Sequence, residues 1–318
     1  MKYVLLLLSF LPLPALAHVE YVLDDDTFTD HAGSDVPFLL EAVTDVGAWA
    51  LILISLLAGA LVYILASRSK MVQEEHEHIN ECRRHYEDYF PWMARLAIGI
   101  SLIGAGSSGA FISPAFEAVS WVGDLQILLG FMVLVGFLLS PVMLTVAFLY
   151  LLALVLDPYA IGNLDLLALV VMFMMYGSTR PGADDLLEMP FVSPIKHLKS
   201  YAPFVLRVGI GVAMIYLALW EKLLNPHTAE LVVQNYKLTS VVPVSAAAWV
   251  FWAGFVELFI GVCLLLGVRV RTMSLIAFLV LSLSFFYFGE EVYSHITLFT
   301  VLSILFVVGP EKWKPSIK

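Results

Sequence analysis

Apolar residues run through this chain in stretches that approach the roughly 20 residues needed to cross a hydrocarbon core. Nine such stretches follow residue 46: 47–66, 92–112, 122–139, 141–156, 163–177, 203–223, 246–267, 272–288 and 294–309. Each predicts a helix, because lipid offers no partner to an unpaired backbone group. The fifth and ninth are short, and both end at a glycine, Gly177 and Gly309.

The polar interruptions repeat. Tyr89, Pro91, Arg95, Ile98, Gly99, Ile103 and Pro114 recur as Tyr201, Pro203, Arg207, Ile210, Gly211, Ile215 and Pro226, at a constant offset of 112 residues. Trp121, Gly123, Gln126, Gly130, Leu134 and Gly136 recur as Trp252, Gly254, Glu257, Gly261, Leu265 and Gly267, at an offset of 131. A repeat fixes the unit of architecture. The expected fold is therefore all-α and integral to a membrane. One extra helix and a linker (47–91) precede a first four-helix repeat (92–187), a linker (188–202), a second repeat (203–312) and a tail (313–318). Four helices per repeat return the chain to its starting side, so the copies are parallel.

Composition agrees with a lipid bilayer environment: 60% of residues are hydrophobic and 14% charged, against about a quarter charged in soluble domains. The net charge of -10, with no basic face, gives no footprint for nucleic acid. Cys82 and Cys263 are the two cysteines and form no C-x-x-C, so a redox role requires a borrowed cofactor.

The N-terminus has the form of a secretory signal: Lys2, an apolar stretch from Val4 to Leu13, and Ala15-Leu16-Ala17 as a cleavage site. An uncleaved anchor is the alternative reading. Residues 18–46, an acidic segment, then lie outside. With that orientation Arg68, Lys70, Arg83, Arg84, Arg180, Lys196, Lys199, Arg269, Arg271 and the C-terminal lysines fall on the cytoplasmic side, and only Lys222 and Lys237 fall outside. The asymmetry follows the positive-inside rule.

Glu257 stands near the middle of the seventh helix, where a charge costs about 2.5–3.5 kcal/mol on insertion scales. It is either a tie between helices, protonated or paired with Arg207, or a contact for a proton, a quinone or a substrate. Gly261, four residues on, shares its face and admits a close neighbour. Trp220, Glu221 and Lys222 close the sixth helix, and His295 begins the ninth beside Glu290 and Glu291. They form either an acid-base mouth over the second repeat or ordinary interfacial anchors. The first repeat has Ser108, Gly109, Ala110 and Asn163 at the places of Trp220, Glu221, Lys222 and His295, so chemistry is expected in the C-terminal half. His78, Cys82 and His85 share a helical face suited to a metal ion, or belong to a solvated helix. His18, if freed by cleavage, offers a second possible metal site.

The R-x-x-I-G landmarks, the Lys-Leu end of the sixth helix, the [Q/E]-x-x-x-G-x-x-x-L-x-G helix and the closing helix that ends in glycine resemble the DoxX/DoxD family of four-helix membrane proteins. The likeness is clearer over 203–312 than over 92–187. It implies a place in membrane redox chemistry, as an accessory subunit beside a redox partner, with quinone as the implied cofactor. Residues Glu257, Lys222, His295 and Glu221 are then the candidates for chemistry, and Arg207, Gly261 and Trp220 for holding the cofactor. A prokaryotic cytoplasmic membrane is the expected location. Transport of a small solute or ion through a site between the repeats is the alternative, with metal handling a third.

Overall fold

The computed structural model describes residues 35–69, 78, 79, 81, 85–178 and 181–309. The expected signal, His18, Cys82 and the tail at 313–318 lie outside these residues. A helix occupies each of the nine apolar stretches. The helices are α2 (Val46–Arg68), α3 (Phe90–Ser107), α4 (Ser120–Val135), α5 (Leu139–Leu156), α6 (Leu164–Tyr176), α8 (Ala202–Leu217), α10 (Ala246–Leu266), α11 (Val270–Phe288) and α12 (Val292–Val308). Shorter helices are α1 (Val36–Thr44), α7 (Ala183–Leu186) and α9 (Pro226–Asn235). One antiparallel hairpin, β1 (Ala110–Phe111) and β2 (Ser113–Glu117), departs from the all-α expectation.

Among the described residues six helical segments are long and apolar enough to cross a membrane: Val46–Leu65, Leu139–Leu156, Pro158–Tyr176, Lys196–Leu224, Ala246–Leu266 and Val270–Phe288. The fifth is longer than its apolar run. Asp157 accepts from the Tyr159 amide, and a 3-10 turn from Pro158 to Asn163 leads into α6. Proline suits a first turn because the missing N–H would have had no partner there. The third is shorter, since α4 stops at Gly136 in the left-handed region (φ 77°), with the Gly136 and Phe137 amides returned to the Met132 carbonyl.

The described residues group into two compact units, and the boundaries fall inside α8, α10 and α11. One unit comprises the described residues up to 81 with Met214–Ile260 and Leu279–Gly289. Its core joins Phe38 of α1 and Leu51 and Ile52 of α2 to Trp249 and Trp252 of α10. Trp252 is fully buried and its indole N–H donates to Ser55 Oγ at 3.0 Å. Asp45 orders the α1–α2 junction by accepting from the Gly47 and Ala48 amides.

The other unit comprises the described residues of 85–213, Gly261–Phe278 and 290–309. Here the repeated residues make matching contacts. A Cβ on Gly130 of α4 would lie 2.7 Å from the Gly99 carbonyl of α3, and a Cβ on Gly211 of α8 would lie 3.0 Å from the Gly261 carbonyl of α10. Small residues let the two backbones meet in each case. Arg95 donates to the Val133 and Leu134 carbonyls at the end of α4, beside Gly136. Arg207 lies against Gly267, the matching left-handed glycine (φ 75°), and Arg271 donates to the Phe306 and Val307 carbonyls at the end of α12. A guanidinium favours the negative end of a helix dipole. These arginines hold helix ends in place.

Candidate functional site

The sixth helix does not end as an α-helix. From Ala218 to Leu224 it widens into a π-helical turn, closed by Asn225, whose backbone and side-chain amides both donate to the Trp220 carbonyl. Pro226 starts α9 directly afterwards. Single π turns inside α-helices recur at functional sites. In this turn the neighbouring residues Glu221 and Lys222 are both buried, while Trp220 is 46% exposed and stacks on Tyr216.

The Lys222 stem passes over Gly254 of α10, where an added Cβ would come within 3.0 Å of the lysine Cβ. One turn further along α10, Glu257 accepts a hydrogen bond from Lys222 Nζ at 2.7 Å. Glu221 places a carboxylate oxygen 3.7 Å from the same ammonium. All three side chains are at most 6% exposed. Two acids thus approach one ammonium. Burying each ion costs several kcal/mol, which a charged hydrogen bond only partly offsets.

The matching place in the first repeat belongs to the other unit and is held by a neutral amide. Gln126 of α4 is fully buried; its amide donates to the Ala110 carbonyl and its oxygen accepts from the Ile112 amide, both at 2.7 Å. By the repeat offsets, Gln126 corresponds to Glu257 and Ala110 to Lys222. The same pair of positions therefore touches in both repeats. In the first it clamps a hairpin turn, and in the second it forms an ion pair.

The expected partner of Glu257 is corrected by this geometry: it is Lys222, not Arg207. Straight-helix reasoning placed Lys222 at the water interface, and the π turn brings it inside instead. Gly261, read from sequence as a possible cofactor contact, lies where α10 meets Gly211. Trp220 has the exposure of an anchor. Asp35, His227 and Glu230 form a further, part-exposed set in the same unit as Lys222, with contacts of 3.1 and 3.5 Å around the imidazole.

His295 lies in the unit that holds α6 and α12. Its Nε2 is 3.0 Å from Glu290 and its Nδ1 is 2.7 Å from Ser294 Oγ. Asp165, at the start of α6, is buried beside Thr297. The sequence signal for Asp165 is an aspartate two residues after Asn163 in an otherwise apolar helix.

For the linker, His85 is exposed and packs edge-on against Tyr86 and Tyr89, and His78 is exposed as well. Among the described residues no group of three or more His, Cys, Asp or Glu has the arrangement of a metal site. Comparison with known protein families, with curated proteins and with solved structures finds no match for this chain.

Proposed function

We propose that this chain is a nine-span, DoxX-like protein of a prokaryotic cytoplasmic membrane that serves as an accessory subunit of a quinone-linked redox system. Its mature N-terminus faces outward after loss of residues 1–17, and its C-terminus is cytoplasmic. The working centre is the Glu221–Lys222–Glu257 cluster. One observation carries this reading: the first repeat joins the same two positions with a neutral amide, so the fold has no need of charge there. An intramembrane ion pair retained where a neutral tie suffices is a functional feature by default.

A bound quinone supplies two-electron, two-proton carrier chemistry. The residues present suit one. Lys222 is a buried donor, and Trp249, in the core of the same unit, has a buried indole N–H with no hydrogen-bond partner of its own. These two groups would hold carbonyl oxygens while Glu257 and Glu221 hold the exchangeable proton beside Lys222. The aromatic residues Trp249 and Trp252 of α10 give the apolar surround that such a ring favours.

Quinone co-extracted with the purified protein, and quinone-reducing activity in the membranes that contain it, test the reading in wild type and in Glu257→Gln. Bound quinone is expected in the wild type, with activity reduced at least tenfold in the variant. Absence of quinone together with unchanged activity rejects it.

A second reading, transport through a site between the repeats, draws on the buried Asp165 and His295 in α6 and α12, the closing helices of the two repeats. Flux into proteoliposomes that ignores both pH and Asp165→Asn rejects it.

A further inference from the structure

We propose that α6 and α12 hold a second buried proton-exchange site, formed by Asp165, His295 and Glu290, that is independent of the Lys222 cluster. The hydrogen-bond directions assign the first proton. Ser294 Oγ donates to the Glu291 carbonyl at 2.6 Å, so its hydroxyl hydrogen is committed. At 2.7 Å, His295 Nδ1 must then be the donor to that oxygen. The other ring nitrogen faces Glu290 Oε2 at 3.0 Å, with both side chains at most 2% exposed. A bare nitrogen against a bare carboxylate would set two lone pairs against each other. The approach is close without hydrogen-bond alignment, and a proton on the imidazole or on Glu290 relieves the opposition.

Asp165 offers the place for a second proton. Thr297 donates to one carboxylate oxygen, and the other, Oδ2, is buried with no hydrogen-bond partner. A buried carboxylate with an unanswered oxygen calls for either a proton or a cation. His295 is its electrostatic neighbour, but the imidazole charge is matched by Glu290. Thr297 and His295 are the counterparts of Asp165 and Asn163 at a common offset of 132, so matching turns of the two repeats face each other here with different residues. Only that difference makes the junction titratable.

Other titratable groups around the site are few. Tyr150 of α5 is an electrostatic neighbour of Asp165, and its hydroxyl is committed to the Ala160 carbonyl at 2.6 Å. Tyr293 of α12 bonds Ser108 at the end of α3, and Arg95 of α3 is engaged at the end of α4. The step itself is a simple proton gain: a proton from the aqueous phase bonds to Asp165 Oδ2, the carboxylate becomes a neutral acid, and no electron moves.

Infrared difference spectra of the full chain in phosphatidylcholine vesicles, recorded across a pH jump in H2O and D2O, test this directly. A deuterium-sensitive carboxylic-acid band is expected on acidification, absent in Asp165→Asn, shifted in His295→Gln and intact in Glu257→Gln. No such band in the wild type, or the same band in Asp165→Asn, overturns the proposal. If Asp165→Asn does not fold, carbon-13 labelling of aspartate assigns the band in the wild-type chain, and a band that does not move with the label overturns it equally. The intact band in Glu257→Gln separates this site from the Lys222 cluster, so either can fail alone.

Discussion

Gln126 and Glu257 occupy the same place in the two repeats and meet the same neighbouring position, yet one secures backbone and the other an ammonium. The difference begins in the preceding helix. In the first repeat α3 ends at Ser107, and the chain turns through Gly109 into a hairpin whose buried backbone groups need a partner. An amide, with a donor and an acceptor on one side chain, answers both at once. In the second repeat the helix continues through a π turn to Leu224, which satisfies its own backbone and leaves room for side chains. The position is a junction by architecture, and it holds a buried ion pair only where the helix is prolonged.

The comparison breaks most readily at Lys222. Lys222→Met leaves Glu257 and Glu221 buried without their shared cation, a loss of about 3–5 kcal/mol for a broken buried pair. Unfolding of the detergent-solubilised protein reads this as a large drop in midpoint; an unchanged midpoint means that the two acids were never ionised together.

Gln126→Leu should cost a similar amount. It strips partners from the Ala110 carbonyl and the Ile112 amide, at about 1–3 kcal/mol for each buried group. The effect falls on stability alone, with quinone-linked activity per folded molecule unchanged. Lost activity at full stability would show that the first repeat also works in the chemistry.

The smallest effect belongs to Trp220. Trp220→Ala removes an exposed stacking partner of Tyr216 and should stay within about 0.5 kcal/mol in the same unfolding assay. A loss approaching that of Lys222→Met would give Trp220 a place in the site that its exposure denies it.

How much of this was legible in the sequence varies with the kind of interaction involved. Apolar runs locate the nine helices because lipid-compatible composition and backbone satisfaction act on whole segments. The glycine and arginine landmarks were legible too, since close approach and helix-end capping depend on residue type at fixed spacing, and Gly99, Gly130, Arg95 and Gly136 do meet as their counterparts do. Glu257 stood out by its cost in an apolar helix. Its partner did not. Arg207 was one reading among others, within reach of straight helices only through its long guanidinium arm, and nothing in Ala218–Leu224 announces the π turn that brings Lys222 inward. The hairpin after α3 was hidden in the same way, because one left-handed glycine and one side-chain clamp decide it, and neither leaves a periodic trace. Asp165 was legible in principle, as a lone acid in an apolar helix, but its meaning depends on Thr297 and His295, more than 100 residues away.

The central claim is that charge at the second junction serves chemistry and not packing. The triple variant Glu221→Gln, Lys222→Met and Glu257→Leu replaces all three ions with neutral groups of similar volume, an exchange that is often neutral or stabilising by about 1–4 kcal/mol. Quinone-reducing activity per folded molecule is the measurement. The account predicts a protein as stable as the wild type whose activity is lost; a stable triple variant with full activity would contradict it.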